Sequence, residues 1–270
     1  MFKDITIGQY VEGNSFIHKM DARVKILLSL FYIIILFLIS SPVAYAVFTA
    51  FTLFLVYLSK VPPKFILRGL KPMMYILVFT AVLNLFMTQG STVLWVCPFW
   101  STLKITKEGL TTAVLMILRL VYLVIGTSVL TLTTSPLMLT DGIEKILKPF
   151  EIIKVPSHEI AMMMTIAIRF IPTLSEETEK IMKAQMARGA DFESGNVLKR
   201  AKAMIPLLVP LFISAFRRAD DLAVAMDSRC YHGGKNRTRM KQMKMTVRDL
   251  WATLFMVGFA AAVIFIQKLM

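Results

Sequence analysis

Long apolar runs, broken by short polar stretches, fill the first half of the chain and return at its end. The part between alternates apolar and charged residues at helical spacing. The first run covers residues 26–40; Ser41-Pro42 interrupts it, and residues 43–58 form the second. Each is a little short of the roughly 20 residues that cross a bilayer core, yet about thirty in one helix would overshoot a single crossing at ~1.5 Å per residue. The two runs therefore predict two spans joined by a tight hairpin, with flanking residues completing each. Residues 72–87, 109–132 and 249–269 predict a third, fourth and fifth span. Between the third and fourth, Trp95, Phe99 and Trp100 surround Cys97-Pro98. Aromatics clustered between spans predict an interfacial belt on the outer side, with a small loop core as the alternative.

Composition turns these runs into a membrane assignment. Of 270 residues, 56% are hydrophobic, and the mean hydropathy is +0.66, more than a soluble domain of this size needs. A formal charge of +14 would point a soluble protein to nucleic acid or acidic lipid. In a membrane protein the placement of that charge sets orientation instead. Basic residues gather at 1–25 (Lys3, Lys19, Arg23, Lys25), at 60–71 (Lys60, Lys64, Arg68, Lys71) and through 133–248, where 19 Lys/Arg accompany 12 Asp/Glu. Five spans put all three regions on the cytoplasmic side, with the N-terminus inside and the C-terminus outside. The dense run at 235–244 reads as solvated, lipid-facing charge rather than a nucleic-acid site. The first twenty residues lack the pattern of a cleaved leader. Cys97 and Cys230 fall on opposite sides, so no disulfide is expected. His18, with no Cys or His nearby, is expected as polar surface.

Asn84 and Arg119 stand out among the polar residues inside the predicted spans. Asn84 suits a hydrogen bond to a neighbouring helix. Arg119 lies midway along the fourth span, where snorkelling to the interface is hard, so it must face the helical bundle or a partner surface.

In the region 133–248, residues 137–147 predict a helix that Lys148-Pro149 ends. Ser157-His158-Glu159 opens a Met-rich apolar helix to Ile171, at about 15 residues too short to span comfortably. Pro172 to Asp191, PTLSEETEKIMKAQMARGAD, predicts a separate helix. Thr173 and Glu176 make a capping-box pattern at its start, and Gly189 suits the positive φ that stops a helix. Ile181, Met182, Gln185 and Met186 form a mixed stripe suited to partner packing. Pro210 to Cys230, PLFISAFRRADDLAVAMDSRC, repeats the design, with residues 192–203 as the link. Each helix ends on an arginine between small residues: Ala187-Arg188-Gly189 and Ser228-Arg229-Cys230. One such arginine only offsets the helix dipole. Two, each left uncovered by small neighbours, predict two arms reaching for two similar sockets. The residues thus predict an all-α integral membrane protein of about five transmembrane helices plus a cytoplasmic helical domain. The divisions are a membrane domain over 1–132, the cytoplasmic domain over 133–248 and a last span over 249–270.

The segments AIRFIPTLSEE, AQMARGADF and RRADDLAVAMDSRCY resemble the transmembrane T component of energy-coupling factor (ECF) transporters, the CbiQ-like EcfT family. The resemblance covers the two arginine-ended helices closely and the rest of the chain in layout. The family's usual motif is Ala-Arg-Gly; Ser228-Arg229-Cys230 departs from it in flanking residues that are still small. The resemblance implies that 133–248 is a coupling domain. Two cytosolic ABC ATPases, similar to EcfA and EcfA′, would dock on Ala187, Arg188, Gly189, Ser228, Arg229 and Cys230. A separate S component in the membrane would bind a vitamin or other micronutrient, with Arg119 and Asn84 as candidate contacts in the bundle or to that S component. ATP would be bound by the partner subunits, leaving this chain without cofactor or metal. A T component dedicated to cobalt or nickel uptake is the alternative within the family.

The chain carries no P-loop, no HExxH, no Cys–His cluster and no Ser/His/Asp set, so it is not expected to hydrolyse ATP itself. A membrane enzyme or stand-alone secondary transporter would call for acidic residues in the spans or inverted repeats. Residues 22–103 contain no Asp or Glu at all.

Overall fold

The computed structural model describes residues 10–88, 93–96, 104–192, 194, 196–234 and 243–269. Cys97, Phe99, Trp100, Lys3 and most of the basic run at 235–244 lie outside the described residues. The chain divides into two compact units, with boundaries between Gly142 and Ile143 and again before Met243.

The first unit is the apolar one. Helix α1 (Ala22–Leu38) starts where Asp21, extended and so free to cap, accepts the Arg23 amide at 3.0 Å. Ser41-Pro42 does form a hairpin: Pro42 occupies the first turn of α2 (Pro42–Ser59), where its missing N–H costs nothing. The basic stretch 60–71, expected as a loop, is instead mostly helix. Helix α3 (Pro63–Leu70) passes through one 3₁₀ turn (Lys71–Met73) into α4 (Met74–Met87). Pro62-Pro63 starts a helix as readily as it breaks one, which is why the sequence misled there.

Residues expected as an aromatic belt include a short antiparallel hairpin, β1 (Val93–Val96) with β2 (Lys104–Thr106). Thr106 then caps α5 (Lys107–Thr133) by accepting the Gly109 amide at 3.0 Å. Helix α6 (Pro136–Leu147) follows, and α9 (Val247–Leu269) closes the unit.

Among the described residues, four helical stretches are long and apolar enough to cross a membrane: Pro42–Ser59, Pro63–Met87, Lys107–Thr133 and Val247–Leu269. Helix α1 is just as apolar but has 17 residues, or ~25 Å at 1.5 Å per residue. The chain is therefore an all-α multi-pass membrane protein; among the described residues one short hairpin accompanies the helices.

The unit's core gathers Tyr32, Ile35 and Leu36 of α1, Tyr45, Phe48 and Phe51 of α2, Tyr122 of α5, and Met256, Ala260 and Val263 of α9. Phe51 and Phe259 stack with centroids 3.9 Å apart. A Cβ at Gly126 would stand 2.4 Å from the Tyr32 ring, so only glycine lets α1 and α5 come this close. The Tyr32 hydroxyl meets Thr52 Oγ1 at 3.0 Å and the Tyr122 carbonyl at 3.1 Å, leaving no polar atom of that ring unpaired in the core. By contrast α4 buries no residue; its Tyr75, Phe79 and Met87 are open, as lipid-facing side chains are.

The second unit runs from Ile143 through a 3₁₀ stretch (Lys148–Ile153) into two long helices, α7 (Ser157–Ala187) and α8 (Val197–Asp227).

Candidate functional site

Helices α7 and α8 have 31 residues each, ~45 Å at 1.5 Å per residue. Both are longer than the sequence predicted. Pro172 lies inside α7 and does not start it. Thr173 is therefore no cap: its hydroxyl turns back to the Arg169 carbonyl at 3.4 Å, one residue past the break the proline makes. The short Met-rich helix at 157–171 is the first half of the same helix. Likewise α8 starts at Val197, inside the expected link, and runs through Pro206 and Pro210.

These prolines leave carbonyls without helical partners, and one of them joins the two helices. Pro210 has no N–H to give the carbonyl of Pro206, four residues earlier. Gln185 Nε2 of α7 supplies a donor to that carbonyl at 3.4 Å. Further along, Glu177 of α7 accepts from Ser214 Oγ at 2.5 Å and from Arg218 Nη2 at 2.7 Å, both on α8. The Ser214 hydroxyl first, and then Arg218, hold the Glu177 carboxyl below its ordinary value. Lower residues of one helix pair with higher residues of the other, so the helices are antiparallel.

Both helices end in the same backbone motif. At the first end Arg188 is the C-cap and Gly189 takes φ +87. The Gly189 amide bonds the Met186 carbonyl at 2.9 Å, and the Ala190 amide bonds the Gln185 carbonyl at 3.0 Å. At the second end Cys230 takes φ +55. Its amide bonds the Asp227 carbonyl at 2.8 Å, and the Tyr231 amide bonds the Met226 carbonyl at 3.1 Å. This paired 6→1 and 5→2 pattern is a Schellman motif, and in each copy the arginine directly precedes the left-handed residue. Ala187, Arg188, Gly189, Ser228, Arg229 and Cys230 are all exposed. Neither guanidinium has a hydrogen-bond or ion-pair partner among the described residues. The antiparallel pairing sets the arginines at opposite ends. Arg188 lies near the Gln185–Pro206 contact, and Arg229 lies about 25 residues further along α8, or roughly 35–40 Å at ~1.5 Å per residue.

Sequence reasoning missed a third feature. Ile205, Leu208, Val209, Phe212 and Phe216 of α8 are 43–68% exposed. They recur at the three- and four-residue spacing of one helix face. The spacing was legible, but reading Pro210 as a helix start cut the stripe in two. Free Cys230 is exposed on the same unit, beside the second arginine.

Asn84 and Arg119 of the predicted spans find their partners within the membrane unit. Arg119 Nη2 donates to the Ile39 carbonyl at 2.8 Å and Nε to the Tyr45 hydroxyl at 2.9 Å, with the Phe37 ring 5.7 Å from its guanidinium carbon. Ile39 is the C-cap of α1, so Arg119 satisfies a carbonyl the helix end leaves open and complements the helix dipole. Arg119 therefore faces the bundle. Asn84 donates to the Thr80 carbonyl of its own helix at 2.8 Å, and no bond to another helix is among its described contacts. His18 is not surface: it is buried, between Ser15 Oγ at 2.7 Å and the Val11 carbonyl at 2.9 Å.

Known proteins resemble this chain along nearly its whole length. The profile of the family described as CbiQ, cobalt transport protein, matches residues 13–240. A protein of Clostridium kluyveri called energy-coupling factor transporter transmembrane protein EcfT is 60% identical over 256 residues, 94% of this chain and 93% of that one. Proteins of the same name from Ruminiclostridium cellulolyticum and Bacillus subtilis are 54% and 44% identical, each over 267 residues, 99% of this chain and 98% and 100% of theirs.

Proposed function

The chain belongs to the CbiQ family of transporter membrane components, among its EcfT proteins, and from that premise we propose that it couples two cytosolic ATPases to a substrate-binding S component. It does so as the transmembrane scaffold of an ECF-type importer in the cell membrane, taking up vitamins or other micronutrients. Five spans, α1 among them, put the N-terminus inside, and α7 and α8 belong to the cytoplasmic coupling domain. ATP is bound and hydrolysed in the partner subunits.

The observation that carries the reading is the pair of matching helix ends. Two exposed arginines, unpaired among the described residues, stand on identical Schellman motifs roughly 35–40 Å apart by the ~1.5 Å rise per residue. Guanidinium presents donors in a fixed fork and keeps its charge when covered, so each suits an acidic or carbonyl-lined groove. Two equal ends answer to two similar subunits. When ATP draws the ATPases together, stiff helices locked by Glu177 and Gln185 would carry the motion to the exposed apolar stripe of α8, which offers a surface to the S component. The family description as a cobalt transport protein favours one second reading, a T component serving cobalt or nickel, with the metal held by the S component.

Purification of the tagged chain from its own cells tests the function. The expected result is one copy each of two ATPase subunits and a small membrane protein by mass spectrometry. A chain that transports alone, without ATPases, overturns the reading.

A further inference from the structure

A cavity of about 410 Å³ opens among α1, α2, α5, α9 and the turn at residues 15–20, within the size range of ligand sites. Its wall includes four polar side chains, Lys25, Ser29, Tyr32 and Thr133, and every one is already bonded to protein. Lys25 Nζ donates to the Thr133 carbonyl at 3.0 Å, to Thr134 Oγ1 at 3.2 Å and to the His18 carbonyl at 3.3 Å, which uses all three of its protons. Ser29 Oγ donates to the Ile26 carbonyl and Thr133 Oγ1 to the Val129 carbonyl, while Tyr32 is bonded within the core. The remainder of the wall is apolar apart from the indole N–H of Trp251 at the mouth. Water placed inside would find almost no partners, so the space is built for hydrocarbon.

Next to these wall residues in the chain stand basic ones. Lys19 lies between Ile17 and Met20, both on the cavity wall, and Arg248 lies three residues before wall residue Trp251. Lys244 lies four residues before Arg248, ahead of the start of α9. All three are exposed and none is in an ion pair among the described residues; the neighbouring carboxylates are buried and already held, Asp21 by Arg23 and Asp249 by the Asp21 and Thr246 amides. Trp251 is 62% exposed, as an indole at a membrane–water interface is. An apolar slot with a cationic rim and an interfacial indole matches one class of molecule.

We propose that this cavity holds one acyl chain of an anionic membrane phospholipid, whose headgroup phosphate rests against Lys19 and Arg248. The occupant lies against apolar side chains of four helices, among them Leu28, Leu55, Leu130 and Phe255. The inference needs only the chain's placement in a membrane. It stands apart from the ATPase-docking reading, and either can fail without the other.

The test uses the full chain, with whatever subunits co-purify, carrying Trp95→Phe and Trp100→Phe so that Trp251 is the one indole. It is reconstituted with phosphatidylglycerol or phosphatidylcholine bearing the same brominated acyl chain at equal mole fraction. Anionic lipid is expected to quench Trp251 at roughly fivefold lower mole fraction, the factor one surface cation supplies. Ala252→Phe, which fills the cavity from α9, should abolish the saturable component. Lys19→Gln with Arg248→Gln should keep quenching but bring the two lipids level. Equal quenching by both lipids in the otherwise wild-type chain, or a saturable component unchanged by Ala252→Phe, means ordinary surrounding lipid only and overturns the proposal. If Ala252→Phe does not insert, judged by yield and helical circular dichroism, the headgroup comparison with the charge-neutralised variant decides alone.

Discussion

Single residues in this chain are read best by asking which backbone group each one serves. Arg119 serves the open carbonyl of Ile39 and the hydroxyl of Tyr45. Removing it strands a buried carbonyl at the end of α1, and bonds to a charged donor contribute roughly 1.5–3 kcal/mol each. Arg119→Leu is thus expected to lower stability by about 2–4 kcal/mol and to reduce ATPase co-purification and uptake in parallel, as measured by thermal melting in detergent and by both assays. Uptake lost at full stability would assign Arg119 to a partner instead. Sequence alone told that Arg119 needed a partner and could find no acid for it. It could not tell that the partner is a carbonyl, because backbone acceptors leave no mark in the residue pattern. His18 was misread for the same reason: its partners are a carbonyl and Ser15, not another histidine. Two of the residues with positive φ make a matched pair of expectations. Cys230 bears a strain that Gly189 does not. Cys230→Gly should raise the stability of the helical unit by up to ~1 kcal/mol and Gly189→Ala should lower it by about as much, read from thermal unfolding.

At the scale of elements, α7 and α8 carry the argument. The C-terminus of α7 was legible from Gly189, which favours the left-handed φ that stops a helix; that of α8 was read three residues late, at Cys230, because a cysteine gives no sign of positive φ. Their N-termini were not legible. Proline marks a helix start and an internal break with the same letter, and only tertiary contacts decide between them. Here Gln185 takes up the carbonyl that Pro210 releases. The Glu177–Arg218 pair is partly exposed, so its contribution is under about 1 kcal/mol. Its pH dependence has a definite sign. The Glu177 carboxyl titrates lower in the folded chain than in the unfolded one, chiefly through Ser214. Its stabilising effect is present in full above the unfolded value, ~4.3, and is lost as pH falls through the folded one. The stability gap between wild type and Glu177→Gln should therefore hold constant from pH 8 to about 5 and close below about 4. A gap that widens on acidification would contradict the assigned contact.

For the whole molecule, the hydrophobic pattern gave the membrane class, and the observed helices follow its runs with modest shifts. The charge distribution gave an orientation, which cysteine labelling can check. With Cys97 and Cys230 replaced by serine, Thr88→Cys should react with an impermeant maleimide on intact cells, and Asn196→Cys only after permeabilisation. Labelling of Asn196→Cys from outside would invert the orientation. The central claim is that two arginine-ended helices hold two ATPases. Arg188→Ala and Arg229→Ala should each weaken attachment by roughly 2–5 kcal/mol, much of it from partner groups left unpaired. Lysine at either site should rescue only in part, since it keeps the charge and loses the fork. The most direct measurement is pull-down of both ATPases by the double alanine variant, alongside uptake in cells. The account predicts that this variant still inserts in the membrane but retains neither ATPase and takes up no substrate. Wild-type pull-down and uptake would return both arginines to the role of helix-end charges.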